Sequence, residues 1–490
     1  MTRTSHTHPL QIAAVRPYPG WGQVGLTFCP GKKQPNAVTG RWDRDLGIDL
    51  DAVAAWGAAA VVTLVEDHEL RSLKVEPLGA ELARRHMDWI HCPIPDVTAP
   101  AESFERAWAI HGEGLRARLR SGFSVVVHCK GGLGRAGTIA ARLLVELGWT
   151  AAMAIGAVRD VRPGALETPG QERHVLGLST VAEAQPATTQ AAIRDRAIGA
   201  LLGLAVGDAV GTTLEFKARD TYEPLTDMVG GGPFRLQSGQ WTDDTAMALA
   251  LADSLVSRGE LEEQDLLARF SDWWRRGAYS CTGSCFDIGL TTATALRNWE
   301  QTKDAQSGST SPESAGNGSL MRLAPVAVRF WSERDKLRDA AARQSRTTHA
   351  APEAVDACVA YAEILADAIE GRVRSEVLRD RSGYAGSVET ILGGAWRGKP
   401  RAKVRASGYV LHSLEAALWA VARTDDYRSA VLLAANLGED ADTTAAVTGQ
   451  LAGALYGLKG IPGSWVKKVA WADAIQARAV GLLNAAKPGQ

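Results

Sequence analysis

The chain has 490 residues, 46% of them hydrophobic and 22% charged, and a formal net charge of −1 from 54 Lys and Arg against 55 Asp and Glu. That balance excludes wholesale disorder and a general electrostatic hold on nucleic acid or an anionic membrane. No uncharged apolar run approaches the ~18–20 residues that span a bilayer, the start MTRTSHTHPLQ lacks the apolar core of a secretory signal, and six scattered cysteines fit a reducing compartment, so the expectation is a soluble cytoplasmic protein of two or three folding units.

Over the first 180 residues short apolar runs alternate with helical patterns. Residues 59–65 (AAVVTLV) and 123–127 (FSVVV) read as buried strands rich in β-branched side chains, and 136–147 reads as a helix stopped by Gly148. This alternation predicts an α/β domain, residues 1–180, around a central, mainly parallel sheet.

Within it, 125–138 reads VVVHCKGGLGRAGT, a glycine-rich turn between a strand ending at His128 and a helix starting near Arg135. Backbone N–H groups of Lys130, Gly131, Gly132, Leu133 and Gly134 form an anion cradle. The helix N-terminus adds partial positive charge, and Arg135 can fork onto two oxygens. The same field favours a thiolate, so Cys129 is expected to be nucleophilic near neutral pH. Two other readings fit these residues. Gly132, Gly134 and Gly137 spell the G-x-G-x-x-G of a dinucleotide-binding turn, although the stretch around Asp160, where that fold wants a strand ending in an acid, looks helical. A buried cysteine in a tight turn needs no chemistry at all.

Residues 179–190 (STVAEAQPATTQ) are small, polar and aperiodic and contain the linker, drawn at 181–191. From 192 to 490 Ala-, Leu- and Gly-rich helical stretches follow one another, strongest at 192–210, 245–257, 351–368 and 443–456. An all-α domain is predicted, with the polar stretch 302–314 as a mobile loop or flap. Gly199, Gly203, Gly207 and Gly211 lie four apart, as do Gly449, Gly453 and Gly457. Glycine costs ~1 kcal/mol per site in a helix interior, so such rows predict close backbone packing between helices.

Only His349 and His412 follow the linker, and neither H-E-x-x-H nor a paired C-x-x-C is present, so a zinc site lacks ligands. Cys281 and Cys285 read as ordinary thiols. Hard oxygen is plentiful instead. WTDDTAM at 241–247 and LGEDADTT at 437–444 place acids and threonine where a loop becomes an apolar helix. Helix capping explains one acid per end. It does not explain Asp243 beside Asp244, or Asp440 near Asp442, which repel unless a cation lies between them. Neighbouring helical residues diverge by about 100°, so Asp243 and Asp244 suit two ions better than one. An oxygen-only ligand set points to Mg²⁺, with Ca²⁺ or Mn²⁺ as substitutes. On spacing alone, capping and metal binding both stand.

Two resemblances extend these readings. His128-Cys129, five residues and Arg135 is similar to the signature loop of protein tyrosine and dual-specificity phosphatases, and GGLGR especially to that of cyclin-dependent kinase-associated phosphatases. The likeness runs over about 30–178 and includes WGAAAVVTLVEDHEL at 56–70 and RPGALETPGQ at 162–171. It implies a cysteine-phosphatase fold in which Cys129 attacks phosphorus and Arg135 binds phosphoryl oxygens. Asp96, in HCPIPDVTAP, would protonate the leaving oxygen. Ala136 stands where that family usually has Ser or Thr, which implies slow hydrolysis of the cysteinyl-phosphate. A non-catalytic module that binds phosphate and recruits substrate is the alternative.

GDAVGTTLE at 207–215, WTDDTAM, GNGSLMR at 316–322, THAAPEAVD at 348–356 and GEDADTTAAVTGQ at 438–450 follow one another in an order that resembles the ADP-ribosylglycohydrolase family, whose members include the dinitrogenase-reactivating enzyme. The likeness covers about 193–483. It implies Thr242, Asp243, Asp244, Asp440, Asp442 and Thr443 as ligands of two Mg²⁺ ions, with Mn²⁺ as substitute, and Glu215 as a flap glutamate near the metals. Asn317, Gly318, Ser319 and Met321 match a diphosphate-binding loop, His349 a residue lining the ADP-ribose cleft, and Asp287 a proton-transfer group or a cap before Ile288. Glu439 stands where many relatives have glycine, so it either tightens metal binding or perturbs the cleft. Together the resemblances imply a bifunctional cytoplasmic hydrolase. One activity would act on ADP-ribosylated protein or a small-molecule substrate, with arginine the leading acceptor, and the other on phosphoprotein or another phosphate ester. A helical domain that senses ADP-ribose without cleaving it is the alternative.

Overall fold

Residues 2–37 and 40–485 are described by a computed structural model of the chain, and they divide after Ala184 into two units. In the first unit the strands are β1 (Ala13–Val15), β2 (Val24–Phe28), β3 (Lys33–Gln34), β4 (Trp42–Asp43), β5 (Ala58–Thr63), β6 (Asp88–His91) and β7 (Ser124–Cys129). Five of them form one sheet in the order β1-β2-β7-β5-β6, while β3 and β4 make a separate ribbon. Within the five-stranded sheet only the β1–β2 pair is antiparallel, so the carboxyl ends of β2, β7, β5 and β6 emerge along one edge. All of β5 and the VVVHC of β7 are buried, as a parallel sheet covered on both faces requires. Val125 and Val127 pack with Ile139 and Leu143 of the Gly134–Glu146 helix on one face, whereas Val61 and Val126 pack with Leu50 and Leu78 on the other. β7 carries Cys129 as its last residue, one beyond the expected end. It is also the last strand, because helices Ala151–Val161 and Pro169–Leu176 follow. Among the described residues no strand supplies the acid a dinucleotide fold needs, and that reading falls.

The second unit is helical, and among its described residues β pairing is confined to isolated bridges. The strongest predicted stretches are the helices Gln190–Gly211, Asp243–Arg258, Pro352–Glu370 and Ala441–Gly460. The helical stretch Gln190–Leu214 is long and apolar enough to cross a membrane by length and composition, but its most apolar 18-residue window, of mean hydropathy 1.6, is 94% buried within the protein. Its glycine row faces that of Ala441–Gly460. A Cβ placed on Gly199, Gly203, Gly207 or Gly211 would collide with the carbonyl oxygen of Gly453, Gly449, Ala445 or Ala441 respectively. The two backbones therefore touch along four turns, and any side chain there would hold them apart. The predicted flap at 302–314 is tied down instead. Gly308 donates its N–H to Arg346 O at 3.1 Å, Ala350 donates to Ser309 O at 3.0 Å, and Ser309 bridges His349.

Candidate functional site

In the first unit Cys129 ends β7 opposite Phe28 of β2 and is buried. Gly132 turns the following loop with a φ of +74°, and a Cβ there would lie 2.5 Å from the carbonyl carbon of Thr27, so only glycine fits. Its N–H points at Cys129 Sγ, 3.2 Å away. Arg162 braces the loop from outside by donating to the carbonyls of Gly132 and Gly131 at 3.1 and 3.3 Å. Arg135 is buried and bidentate on Glu69, at 2.6 and 3.0 Å, and donates to Ile94 O at 2.9 Å. Its Nη2 also meets Oδ1 of the half-exposed Asp96 at 2.9 Å. Cys129, Arg135 and Asp96 thus come together from three segments. Glu69 escaped the sequence reading although it lies in VEDHEL. Burial pushes its carboxyl up, but the bonds from Arg135 outweigh burial and hold it below its ordinary value.

Three details shape what this loop can do. His128 is buried, pairs through Nε2 with Thr63 Oγ1 at 2.8 Å, and is pushed down to about 3 by burial, so it stays neutral. The Gly134 N–H, expected to join the anion cradle, is taken by the Glu167 carboxylate at 2.8 Å. Ala136 is fully buried, and the nearby Thr138 hydroxyl donates to Gly134 O at 2.8 Å within its own helix. No hydroxyl from Thr138 makes up for the one missing at Ala136.

In the second unit the helix contact brings acids together. Asp208, near the end of Gln190–Gly211, is fully buried and accepts from Thr242 N and Thr245 N at 2.9 and 3.1 Å and from their hydroxyls at 3.0 and 2.6 Å. Asp208, Asp244 and Asp442 form one group of carboxylates and Glu215, Asp440 and Asp442 another, with ligand oxygens within 4.8 Å inside each group. Asp442 belongs to both. The Thr242 hydroxyl is 3.2 Å from Asp244 Oδ2 and 3.3 Å from Asp442 Oδ2, and the Thr443 hydroxyl is 3.4 Å from Asp244 Oδ2. Asp243 lies outside both groups but lines the cavity above them. Asp208 was not foreseen as a site residue. Its signals were an acid inside an apolar, glycine-rich helix and its place in the GDAVGTTLE motif.

A cavity of about 500 Å³ opens over the acids. Asn317, Gly318, Met321, His349, Asp287 and Phe216 are among its walls. Asn317 donates to Asp440 Oδ2 at 2.7 Å and to Ser413 Oγ at 2.8 Å, which fixes that carboxylate. Ser319, expected beside it, does not line the cavity. Its hydroxyl is buried 2.9 Å from Ser345 Oγ. The Thr348 hydroxyl accepts from Arg322 at 2.9 Å and is paired with His349 Nδ1 at 2.8 Å. Burial pushes that imidazole down to about 3, and it is neutral. Glu215 Oε2 accepts the N–H groups of Ala441 and Asp442 at 2.8 and 3.3 Å. Asp287 sits at φ +60°, before a helix that starts only at Leu290, so it caps nothing.

Burial first, and neighbouring carboxylates second, push these acids up. Asp208 and Asp440 rise to about 7, Asp287 to about 8 and Glu215 to about 12, while Asp243 and Asp244 end well above the carboxylate range. Asp244 Oδ1 is buried with no hydrogen-bond partner. Mutually repelling hard oxygens with an orphaned lone pair suit divalent cations.

The model of the family described as ADP-ribosylglycohydrolase matches residues 189–489, and that described as polymorphic toxin system, DSP-PTPase phosphatase matches residues 45–149. The chain is 48% identical over 293 residues to ADP-ribosylarginine hydrolase Tri1 of Pseudomonas putida, across 60% of this chain and 79% of that protein. It is 33% identical over 288 residues to the ADP-ribosyl-[dinitrogen reductase] glycohydrolase of Rhodospirillum rubrum, across 57% and 92%. A solved ADP-ribosylglycohydrolase-related protein complex aligns at 38% identity with a TM-score of 0.55, covering 60% of this chain and 99% of that one.

Proposed function

The chain belongs to the ADP-ribosylglycohydrolase family, and from that premise we propose that its second unit hydrolyses the bond between ADP-ribose and an arginine side chain of a modified protein, and that its first unit is a cysteine-dependent phosphatase. The observation that carries the first reading is the meeting of Asp208, Glu215, Asp244, Asp440 and Asp442 beneath one cavity. The name of the Pseudomonas relative supports arginine as the acceptor.

Thr242, Asp243, Asp244, Asp440, Asp442 and Thr443, with Asp208 added, are the oxygens that would hold two divalent cations, Mg²⁺ by preference and Mn²⁺ as substitute. When bound, the pair supplies the charge that grips ribose hydroxyls and makes water a nucleophile near neutral pH. Asn317 keeps Asp440 in place. His349, neutral and packed against Gly316 and Gly318, shapes the wall for the ADP portion without adding charge. Asp287, which burial and Asp442 push up in the cation-free protein, lines the cavity and can pass a proton to the departing guanidine nitrogen as water oxygen bonds to the anomeric carbon and the C–N bond breaks, then take the proton that the water gives up.

In the first unit Cys129 would attack phosphorus, Arg135 bind the phosphoryl oxygens and Asp96 protonate the leaving oxygen of a phosphoprotein or other phosphate ester. Ala136 and the Glu167 hold on Gly134 N–H favour slow turnover, and with it the second reading, a phosphate-binding module that recruits substrate. All six cysteines are free, which supports a reducing, cytoplasmic location.

A side-by-side assay on ADP-ribosyl-arginine, ADP-ribosyl-serine and phosphotyrosine peptides, with and without chelator, tests the whole proposal. The expected result is release of ADP-ribose from the arginine conjugate that chelator or Asp244→Ala abolishes. Binding of ADP-ribose with no release would make the second unit a sensor.

A further inference from the structure

We propose that Phe216 and Glu439 form an acceptor subsite at the cavity mouth that takes a planar cation, the guanidinium from which ADP-ribose is removed. The inference rests on the arginine reading above and adds the residues that recognise the acceptor.

Both residues line the cavity, and both hold a backbone conformation that side chains other than glycine seldom adopt, with φ of +61° at each. The strain is locked by a reciprocal pair of bonds. Phe216 N–H donates to Glu439 O at 2.7 Å, and Glu439 N–H donates to Lys217 O at 2.8 Å. Strained positions that surrounding structure over-determines concentrate where a side chain must be aimed. Here the bridge aims two side chains next to the acids, since Phe216 follows Glu215 and Glu439 precedes Asp440.

What is aimed has a chemical complement. Phe216 is 68% exposed, unusual for an aromatic in a well-packed unit. It is supported by the Phe234 ring, with centroids 6.3 Å apart, which in turn meets Phe286 at 5.2 Å, the residue before Asp287. The aromatic row thus runs from the flap glutamate to the group proposed to protonate the leaving nitrogen. Glu439 is exposed, and its carboxylate makes no hydrogen bond or ion pair among the described residues, although Arg219, Tyr222 and His412 lie within reach of its charge. It also lies outside both groups of clustered acids. A negative group there disfavours a diphosphate and welcomes a cation. An open aromatic face beside a free carboxylate is the pairing a guanidinium recognises, by cation–π attraction to the ring and a forked bond to the acid.

The test uses the full chain with Mg²⁺ and ADP-ribosylated agmatine, comparing KM for the conjugate with Ki for the two products, ADP-ribose and agmatine. Glu439→Gln and Phe216→Leu are each expected to raise the conjugate KM and the agmatine Ki about fivefold, with the ADP-ribose Ki within about twofold of the parent. Glu439→Asp should recover part of the loss. Glu439→Gln removes only the charge of an exposed side chain, so it decides the matter even if Phe216→Leu fails to fold. If the conjugate KM and the ADP-ribose Ki move together, or neither moves, the subsite is overturned while the arginine reading stands. If the parent enzyme releases nothing from the arginine conjugate, both fall.

Discussion

Gly207→Ala puts the helix contact and the acid cluster to one test. A Cβ at residue 207 would sit 2.7 Å from the carbonyl carbon of Ala445 and 3.0 Å from Ala446 Cα, and closer still to the Ala445 oxygen. All of these atoms are backbone and cannot swing aside, and ordinary contact begins at 3.4 Å, so the helices must part by roughly 1 Å. Alanine gains about 1 kcal/mol of helix propensity over glycine, while overpacking a close contact costs about 1–3 kcal/mol. Loosened contacts at Gly203 and Gly211 add to that cost, so a net loss of about 2 kcal/mol is expected. Activity should suffer more than stability. Residue 207 adjoins Asp208, Ala445 lies three residues beyond Asp442, and the oxygens of these acids must stay within a 4.8 Å group. A misplacement of about 1 Å in a reacting site is worth up to ~10²-fold in rate. Thermal unfolding and ADP-ribose release over a Mg²⁺ titration measure both effects, with Gly463→Ala, where nothing lies within 4 Å, as the control. A Gly207→Ala protein with the parent rate and the parent Mg²⁺ requirement would refute the claim that the glycine rows bring the acids together.

Two further outcomes follow from the same geometry. Asp208 and Asp440 are raised from 3.8 to about 7, so the folded, cation-free protein binds protons that the unfolded chain has lost. Their stabilisation is fully present below pH ~4 and lost as pH rises through ~7, by about 4 kcal/mol per group at ~1.4 kcal/mol per unit. With chelator, the second unit should therefore unfold at a higher temperature at about pH 5.5 than at about pH 8, and Mg²⁺ at the higher pH should remove the difference; the reverse order would count against a buried acid cluster. In the first unit, stopped-flow hydrolysis of an aryl phosphate should show a burst followed by slow turnover, and Ala136→Ser should raise the slow rate about tenfold without changing the burst. A parent enzyme with no burst and fast turnover would show that the missing hydroxyl does not matter.

The legible parts of the fold were those whose signal is local. β5 and β7 announce themselves because burial on both faces makes their runs continuously apolar. β6, with DWIH only partly buried, and the three residues of β1 become strands only through their neighbours, so nothing in their own sequence marks them. Glycines four apart foretell a close helix contact, and the acids beside both rows point to the two glycine-faced helices meeting each other, as they do, but the register that sets Gly207 on Ala445 and Gly211 on Ala441 is not written in the spacing. The polarity of 302–314 suggested a free loop, whereas its backbone bonds to the segment 346–350, a pairing no composition records. Glu69 shows the same limit, since its place on Arg135 depends on a fold that brings residues 66 apart in sequence into contact.

The rivalry between capping and metal binding is resolved by where the helix-start donors go. Thr242 begins the Asp243–Arg258 helix, yet no side-chain capping bond comes from it, and Asp440 makes none for Ala441–Gly460. The orphan N–H groups are satisfied in trans. Asp208 accepts from Thr242 and Thr245, and Glu215 accepts from Ala441 and Asp442. A carboxylate at a helix start is stabilised by the donors and by the helix dipole whichever segment supplies it. Because two acids from the segment 208–215 take that duty, Asp244 and Asp440 are released from it, with Asp244 Oδ1 left without any partner. Local spacing makes the helix-start acids look like caps and the remote ones look incidental, and the structure assigns the capping to the remote pair. The acids that a cap would have used are thereby left for a cation, which is why removing Asp208 should disturb the helix start and the charge cluster together.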